Sequence, residues 1–77
     1  MHPKILNVKT KEPYCLIIEF DNNEVKLYDL TSFAYFTEIK NLGLLNNYTI
    51  DPGGYGLSFS DDIDVSEYEL YTKSIPY

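Results

Sequence analysis

Residues 14–30 contain two strand-like runs separated by the dipeptide Asn22-Asn23. Asparagine is one of the few residues other than glycine that tolerates the positive φ angles of a tight two-residue turn. The pattern predicts a β-hairpin that closes on a type I′ turn. No other feature of the chain constrains the fold as strongly, because the turn also determines which side chains lie on each face.

One face of this hairpin is predicted to be buried. Side chains alternate with period two along a strand, so Leu16, Ile18 and Phe20 lie together on that face. A two-residue turn places them opposite three residues of the second strand: Asp29, Leu27 and Val25, respectively. A slip of one residue would move every side chain to the other face, so the register is strongly specified.

The other face of the hairpin is predicted to be partly apolar. Glu19 falls opposite Lys26, and Ile17 falls opposite Tyr28; each such pair is worth roughly 0.2 to 1 kcal/mol. Together with Cys15, these side chains leave an apolar area that a partner could cover. The candidate interaction surface consists of Tyr14, Ile17, Glu19, Lys26 and Tyr28.

The remaining segments predict short strands and helices. Residues 3–10 form a first strand, with Leu6 and Val8 on one face, and a helix follows from Thr31 or Ser32 to Leu42, ending at Gly43. Residues 45–51 and 57–60 form a second hairpin. A capping box formed by Ser66 and Glu69 begins a terminal helix. The expectation is a single α+β domain over residues 1–77, in the order β-β-β-α-β-β-α, with an antiparallel sheet and short helices packed on one face.

Charge and composition narrow the classes of function. Six basic and twelve acidic residues give a net charge of −6, which repels phosphate backbones and argues against direct nucleic-acid binding. Cys15 is the only cysteine, so no intramolecular disulfide can form. No apolar run reaches the roughly 18 residues of a membrane span, and no signal-peptide apolar region follows Met1. We expect a cytoplasmic protein without membrane contact.

The acidic run over residues 61–69 is the main candidate for a ligand site. Asp62, Asp64 and Ser66 match the first alternate positions of a calcium loop, but Glu67 replaces the required glycine and Lys73 replaces the bidentate glutamate. Helix capping and the positive end of the helix dipole explain acids before a helix, and we favour this structural interpretation. A small-ligand or divalent-metal site at Asp61, Asp62 and Asp64 therefore remains an alternative to the structural interpretation.

The sequence contains no convincing catalytic constellation. His2 is the only histidine and has no plausible nucleophile partner, so we expect it to be solvated or disordered. The run Gly53-Gly54-Tyr55-Gly56 lacks the lysine and the following helix of a phosphate-binding loop, and it is interpreted as a hairpin turn. We therefore expect no enzyme activity, no catalytic or metal residues and no cofactor.

The order of these motifs resembles a known family. The hairpin with Leu16, Ile18 and Phe20, the segment 24–30, the pair Leu57 and Phe59, and the later segments 62–65 and 70–71 resemble the small bacterial domain of unknown function 2442 family. The sequence differs from the common pattern at Asn22-Asn23, where an acidic residue with glycine is commoner, and at Phe59, where tryptophan is common.

The resemblance implies an α+β fold and no established activity. Members of that family occur alone or joined to a helix-turn-helix domain, and many resemble partners of a second small protein in toxin–antitoxin pairs. The leading expectation is a noncatalytic interaction module that binds a small basic protein, or itself, through an exposed sheet face or edge. Eight tyrosines support this weakly, since tyrosine is enriched at interfaces.

Overall fold

The computed structural model describes residues 2–77; Met1, the first residue of the predicted domain 1–77, lies outside the described residues. Two antiparallel sheets and two short helices make up this part of the chain. The strands and helices are β1 (Ile5–Lys11), β2 (Cys15–Phe20), β3 (Val25–Asp29), α1 (Phe36–Asn41), β4 (Thr49–Ile50), β5 (Gly56–Ser58), β6 (Asp64–Ser66), α2 (Glu67–Lys73) and β7 (Ile75–Pro76).

The first sheet has the strand order β1-β2-β3-β7 and the second has the order β4-β5-β6. The α+β class is confirmed, and the element order agrees with the expectation except for two short strands, β6 and β7, on either side of α2. The predicted second hairpin is present, with Ile50 opposite Leu57, but its strands are shorter than the predicted ranges 45–51 and 57–60. The last strand, β7, returns to pair with β3 at the far side of the first sheet.

The first hairpin turns on three residues rather than two. The N–H of Asn23 donates to the carbonyl of Phe20 at 3.1 Å, and the N–H of Phe20 donates to the carbonyl of Glu24 at 2.9 Å. Asn23 has a φ of 71°, so the loop is a type I turn followed by a left-handed residue. The Asn22 amide supports it, since its Oδ1 accepts from the N–H of Glu24 at 3.1 Å.

This loop shifts the hairpin register by one residue. Glu19 lies opposite Val25, and Leu16 lies opposite Tyr28. The predicted type I′ turn and its pairs were therefore wrong, although the prediction that Leu16, Ile18 and Phe20 are buried is confirmed. The shift exchanges the two faces of β3, because side-chain direction alternates at every residue.

An irregularity in β1 changes the face of one further residue. The pairing with β2 shifts between Ile5 and Asn7, so the simple alternation that put Leu6 on the same face as Val8 does not hold. Leu6 is 58 % exposed, whereas Ile5 is buried. The extra residue at a β-bulge of this kind is left unpaired, and its side chain does not follow the regular alternation of the strand.

The segment after β3 forms a capped turn before the helix. The carboxylate of Asp29 accepts from the N–H of Thr31 at 2.9 Å and from its hydroxyl at 2.7 Å, so Asp29 caps the turn Leu30–Ser32. The helix α1 begins later than predicted, at Phe36. Its end at Gly43 is confirmed: Gly43 has a φ of 69°, the left-handed conformation that ends many helices.

One apolar core joins the two sheets and the two helices. The face of the first sheet that carries Leu16 and Ile18 packs in the same cluster as Ile39 of α1, Leu70 of α2 and Leu57 of β5. We call this face of the first sheet the inner face and the opposite one the outer face. Both helices lie on the inner side, so neither helix within residues 2–77 covers the outer face.

Candidate interaction surface

The register shift buries Tyr28, which sequence analysis placed on the interaction surface. Tyr28 is 1 % exposed and its hydroxyl donates to Oε2 of Glu69 on α2 at 2.9 Å. Burial, and then the hydrogen bond and charge of Glu69, raise the pKa of the Tyr28 phenol. Tyr28 thus joins β3 to α2. It is buried, whereas the sequence predicted that it would be exposed.

Lys26 also lies on the inner side, so the predicted pair with Glu19 was wrong. Its ammonium donates to the backbone carbonyl of Tyr71 at 2.7 Å and stands 4.2 Å from the centroid of the Tyr71 ring. The Tyr71 hydroxyl in turn donates to the carboxylate of Glu24 at 2.7 Å. These contacts attach the end of α2 to the first hairpin.

Tyr14 belongs to the inner side as well. Its ring packs edge-on against Phe36 of α1, with the centroids 5.0 Å apart, and the Lys40 ammonium stands 5.6 Å from the Tyr14 ring. Of the five residues predicted to form the interaction surface, Ile17 and Glu19 therefore lie on the outer face, while Tyr14, Lys26 and Tyr28 do not.

The outer face carries an apolar area that sequence analysis assigned only in part. Ile17 lies opposite Leu27, and Leu27 lies opposite Ile75 of β7. Tyr77 follows β7, and its N–H donates to the carbonyl of Val25 at 3.1 Å. Tyr77 therefore lies beside Val25. We call this area the outer patch, and its members are Ile17, Val25, Leu27, Ile75 and Tyr77.

The outer patch is accessible in the described part of the chain. Ile75 is 60 % exposed, Tyr77 is 63 % exposed and Val25 is 39 % exposed, while Ile17 and Leu27 are half-buried. Single exposed apolar residues are ordinary, but contiguous ones on one sheet face are typical of interaction sites. If the register is counted from a three-residue loop, with Asn23 in the left-handed conformation, Val25 and Leu27 are placed on the outer face.

Charged side chains border the outer patch on two sides. Lys9 and Lys11 project from β1, and the Lys11 ammonium stands 5.7 Å from the centroid of the Tyr77 ring. Glu19 lies beside the patch on β2. A shallow depression of about 260 Å³ is lined by Lys9, Ile17, Glu19 and Val25, together with Asn7.

The acidic run does not form a metal cluster. Within residues 2–77 no group of three or more histidine, cysteine, aspartate or glutamate residues is arranged to hold a metal ion. Asp61 and Asp64 line an open polar cleft of about 420 Å³. Asp62 is exposed, and its N–H donates to the Ser60 hydroxyl at 3.3 Å. The three predicted aspartates thus do not converge on one point.

The predicted capping box is half formed. The Ser66 hydroxyl accepts from the N–H of Glu69 at 3.2 Å, which caps α2 as expected. The reciprocal bond is replaced, because the Glu69 carboxylate binds the hydroxyl of Tyr28 instead.

Cys15 and His2, the only cysteine and the only histidine of the sequence, lie towards opposite ends of the β1–β2 ladder. Cys15 is a half-buried free thiol on β2. His2 is half-buried rather than freely solvated, with its ring edge-on to Tyr68 at 4.4 Å between centroids. An open cleft of about 430 Å³ beside it is lined by Lys4, Asp21 and Tyr71, with Pro3 and Asn22.

These observations define a small α+β domain in which a four-stranded antiparallel sheet exposes one face, while a second sheet and two helices cover the other. The chain belongs to the family described as "Protein of unknown function (DUF2442)", which matches residues 5–76. No curated protein and no solved structure matches the chain. None of the helices within residues 2–77 is long and apolar enough to cross a membrane.

Proposed function

We propose that this chain is a noncatalytic protein-interaction module of the cytoplasm and that the outer patch is its docking surface. The observation that supports the proposal most strongly is the exposure of Ile75 and Tyr77 beside Leu27 on a sheet face that neither helix covers. An apolar area bordered by Lys9 and Glu19 has the composition of a protein interface, with an apolar centre and a polar rim.

The proposed partner is a small basic protein, with this chain as the antitoxin-like or accessory member of a two-protein pair. The net charge of −6 favours association with a cationic partner through complementary fields. A second copy of the chain is the other candidate occupant.

The proposal is tested by co-expressing the chain with the product of its neighbouring gene, followed by co-purification and titration. Replacing Ile75 and Tyr77 together by serine removes two large exposed side chains. The matched control replaces Tyr35 and Leu42, which are 51 % and 66 % exposed elsewhere on the surface, by serine.

We expect the first double variant to lose roughly 2 kcal/mol of binding free energy, about thirtyfold in Kd, and the control to bind as the wild type does. A chain that stays monomeric and does not bind its neighbour contradicts the proposal. Equal affinity of both double variants contradicts the placement of the docking surface.

The second candidate function is a binding site for a small ligand or a divalent metal at Asp61, Asp62 and Asp64. The polar cleft that Asp61 and Asp64 line favours it. Titration of the chain with calcium or magnesium at millimolar concentration tests it by calorimetry and by thermal shift. A heat signal that disappears in Asp64→Asn supports a metal site, and the absence of both heat and thermal shift removes it.

A further inference from the structure

We propose that the open edge of β1 is a second protein-binding site, which accepts an extended acidic segment of another protein as an added β-strand. This edge lies beside the first sheet, in the plane of its strands. Its backbone groups are distinct from the outer patch, although Lys9 and Lys11 border both, and the inference does not depend on the function proposed for that patch.

The hydrogen bonds of β2 establish which backbone groups face β3. The N–H of Phe20 donates to the carbonyl of Glu24, and the carbonyl of Tyr14 accepts from the N–H of Leu30, both at 2.9 Å. Residues 14, 16, 18 and 20 therefore bond towards β3. In an antiparallel ladder these directions alternate, so residues 15, 17 and 19 bond towards β1.

The same alternation defines the open side of β1. Lys9 lies opposite Ile17 and Lys11 lies opposite Cys15, so the backbone groups of these two lysines point to β2. The N–H and C=O groups of Val8 and Thr10 then point away from the sheet. β4 also approaches β1, and the hydroxyls of Thr10 and Tyr48 are hydrogen-bonded at 2.9 Å. Within residues 2–77, however, no backbone hydrogen bond from another segment reaches Val8 or Thr10, so these backbone groups are unpaired.

The charge on this edge is opposite to that of the chain as a whole. β1 itself carries Lys9 and Lys11 and no acidic residue, with Lys4 before it and Glu12 after it, although acidic residues outnumber basic ones by twelve to six in the chain. Lys9 and Lys11 are both exposed and lie two positions apart, about 7 Å along the strand. A strand with carboxylates at alternate positions matches that spacing.

A second copy of the chain fits this edge poorly. Antiparallel pairing of Val8 with Thr10 of a second copy places the two copies of Lys9 directly opposite each other. Pairing Thr10 with its own counterpart places Lys9 opposite Lys11. Like charges in directly opposed positions destabilise a ladder, and lysines on edge strands commonly prevent self-pairing.

The remaining symmetric arrangement, which pairs Val8 with its own counterpart, is blocked by the turn Pro52–Gly54. That turn lies against the start of β1 so closely that a Cβ on Gly54 would stand 2.5 Å from the carbonyl oxygen of Ile5. The edge therefore accepts a short strand at Val8 to Lys11, and its two lysines select an acidic one. Addition of a strand to an open sheet edge is an established mode of peptide recognition.

The experiment uses the full chain and two synthetic peptides of seven residues. In one peptide glutamate alternates with valine, and in the other lysine alternates with valine. Amide hydrogen exchange is measured by NMR with and without each peptide. The test variant is Lys9→Glu with Lys11→Glu, and the control is Lys40→Glu with Lys73→Glu, which changes the net charge equally.

We expect the glutamate peptide to slow exchange at the Val8 and Thr10 amides. Its Kd should rise about tenfold or more in the Lys9 and Lys11 variant and stay close to the wild-type value in the control. Four outcomes of the peptide titrations overturn the proposal: no binding at millimolar peptide, equal binding of the lysine peptide, protection confined to other amides, or equal affinity of the two double variants. Protection of Val8 and Thr10 that rises with protein concentration and needs no peptide also overturns it, because a second copy then occupies the edge.

Discussion

Removal of the Tyr28 hydroxyl, which donates to Glu69, should destabilise the fold measurably. The change Tyr28→Phe keeps the buried ring and removes the hydroxyl that donates to Glu69 at 2.9 Å. A hydrogen bond to a charged group contributes about 1.5 to 3 kcal/mol. Because the Glu69 carboxylate is half-exposed and water can replace the lost donor, we expect the lower end, about 1.5 kcal/mol.

That loss corresponds to a fall of roughly 6 to 12 °C in Tm for a domain of this size. Urea and thermal unfolding at neutral pH measure it. Tyr35→Phe is the control, because Tyr35 is 51 % exposed, and we expect its free energy of unfolding to equal that of the wild type.

The same bond predicts a dependence of stability on alkaline pH. The pKa of the Tyr28 phenol is raised in the folded protein, first by burial and then by Glu69, relative to an ordinary value near 10. The stability from this group is fully present below about pH 10 and is lost as the pH rises further, because the unfolded chain ionises first. The slope reaches about 1.4 kcal/mol per pH unit.

We therefore expect Tyr28→Phe to remove this part of the slope between about pH 10 and pH 11, while Tyr35→Phe retains it. If Tyr28→Phe unfolds with the wild-type free energy and the wild-type alkaline slope, Tyr28 is not buried against Glu69. In that case the hairpin register described above is wrong.

Three further substitutions test the backbone features that position the sheets. Asn23→Ala should cost about 1 kcal/mol in urea unfolding because Asn23 has a φ of 71°, whereas Asn23→Gly should be nearly neutral; equal stabilities would contradict the three-residue loop. Gly54→Ala should cost clearly more than Gly43→Ala, since both have positive φ angles but only Gly54 is blocked by the Ile5 backbone; a cost near 1 kcal/mol for each would refute the close approach. Ser66→Ala should cost about 1 kcal/mol through loss of the α2 cap, and an unchanged Tm would contradict that cap.

The sequence predicted the structure correctly at positions whose role follows from the residue type alone. Leu16, Ile18 and Phe20 are buried as predicted, because their alternation does not depend on the turn. Gly43 ends α1 and Ser66 caps α2, because each position requires a particular backbone or side-chain group. These features follow from local physical chemistry and need no knowledge of the rest of the fold.

The candidate surface was harder to predict, because it depended on counting residues across a loop. Asn22-Asn23 fits a two-residue turn and also a three-residue turn with Asn23 in the left-handed conformation, and only the second occurs. That single-residue difference moved Tyr28 and Lys26 inward and Leu27 outward.

The last strand was missed for a different reason. β7 is two residues long and contains Pro76, which cannot donate to a ladder. It pairs at the sheet edge because α2 delivers it there, which is a tertiary effect. Ile75 and Tyr77 therefore join the outer patch without any local sequence signal.

Hydrogen–deuterium exchange on the purified complex with the neighbouring gene product tests the outer patch as a docking surface most directly. Exchange is compared for the free chain and the complex, peptide by peptide. We expect slower exchange in residues 15–19, 25–29 and 75–77, which carry the outer patch. Protection confined to residues 61–64 or to α2, with the outer face exchanging as in the free chain, would contradict it.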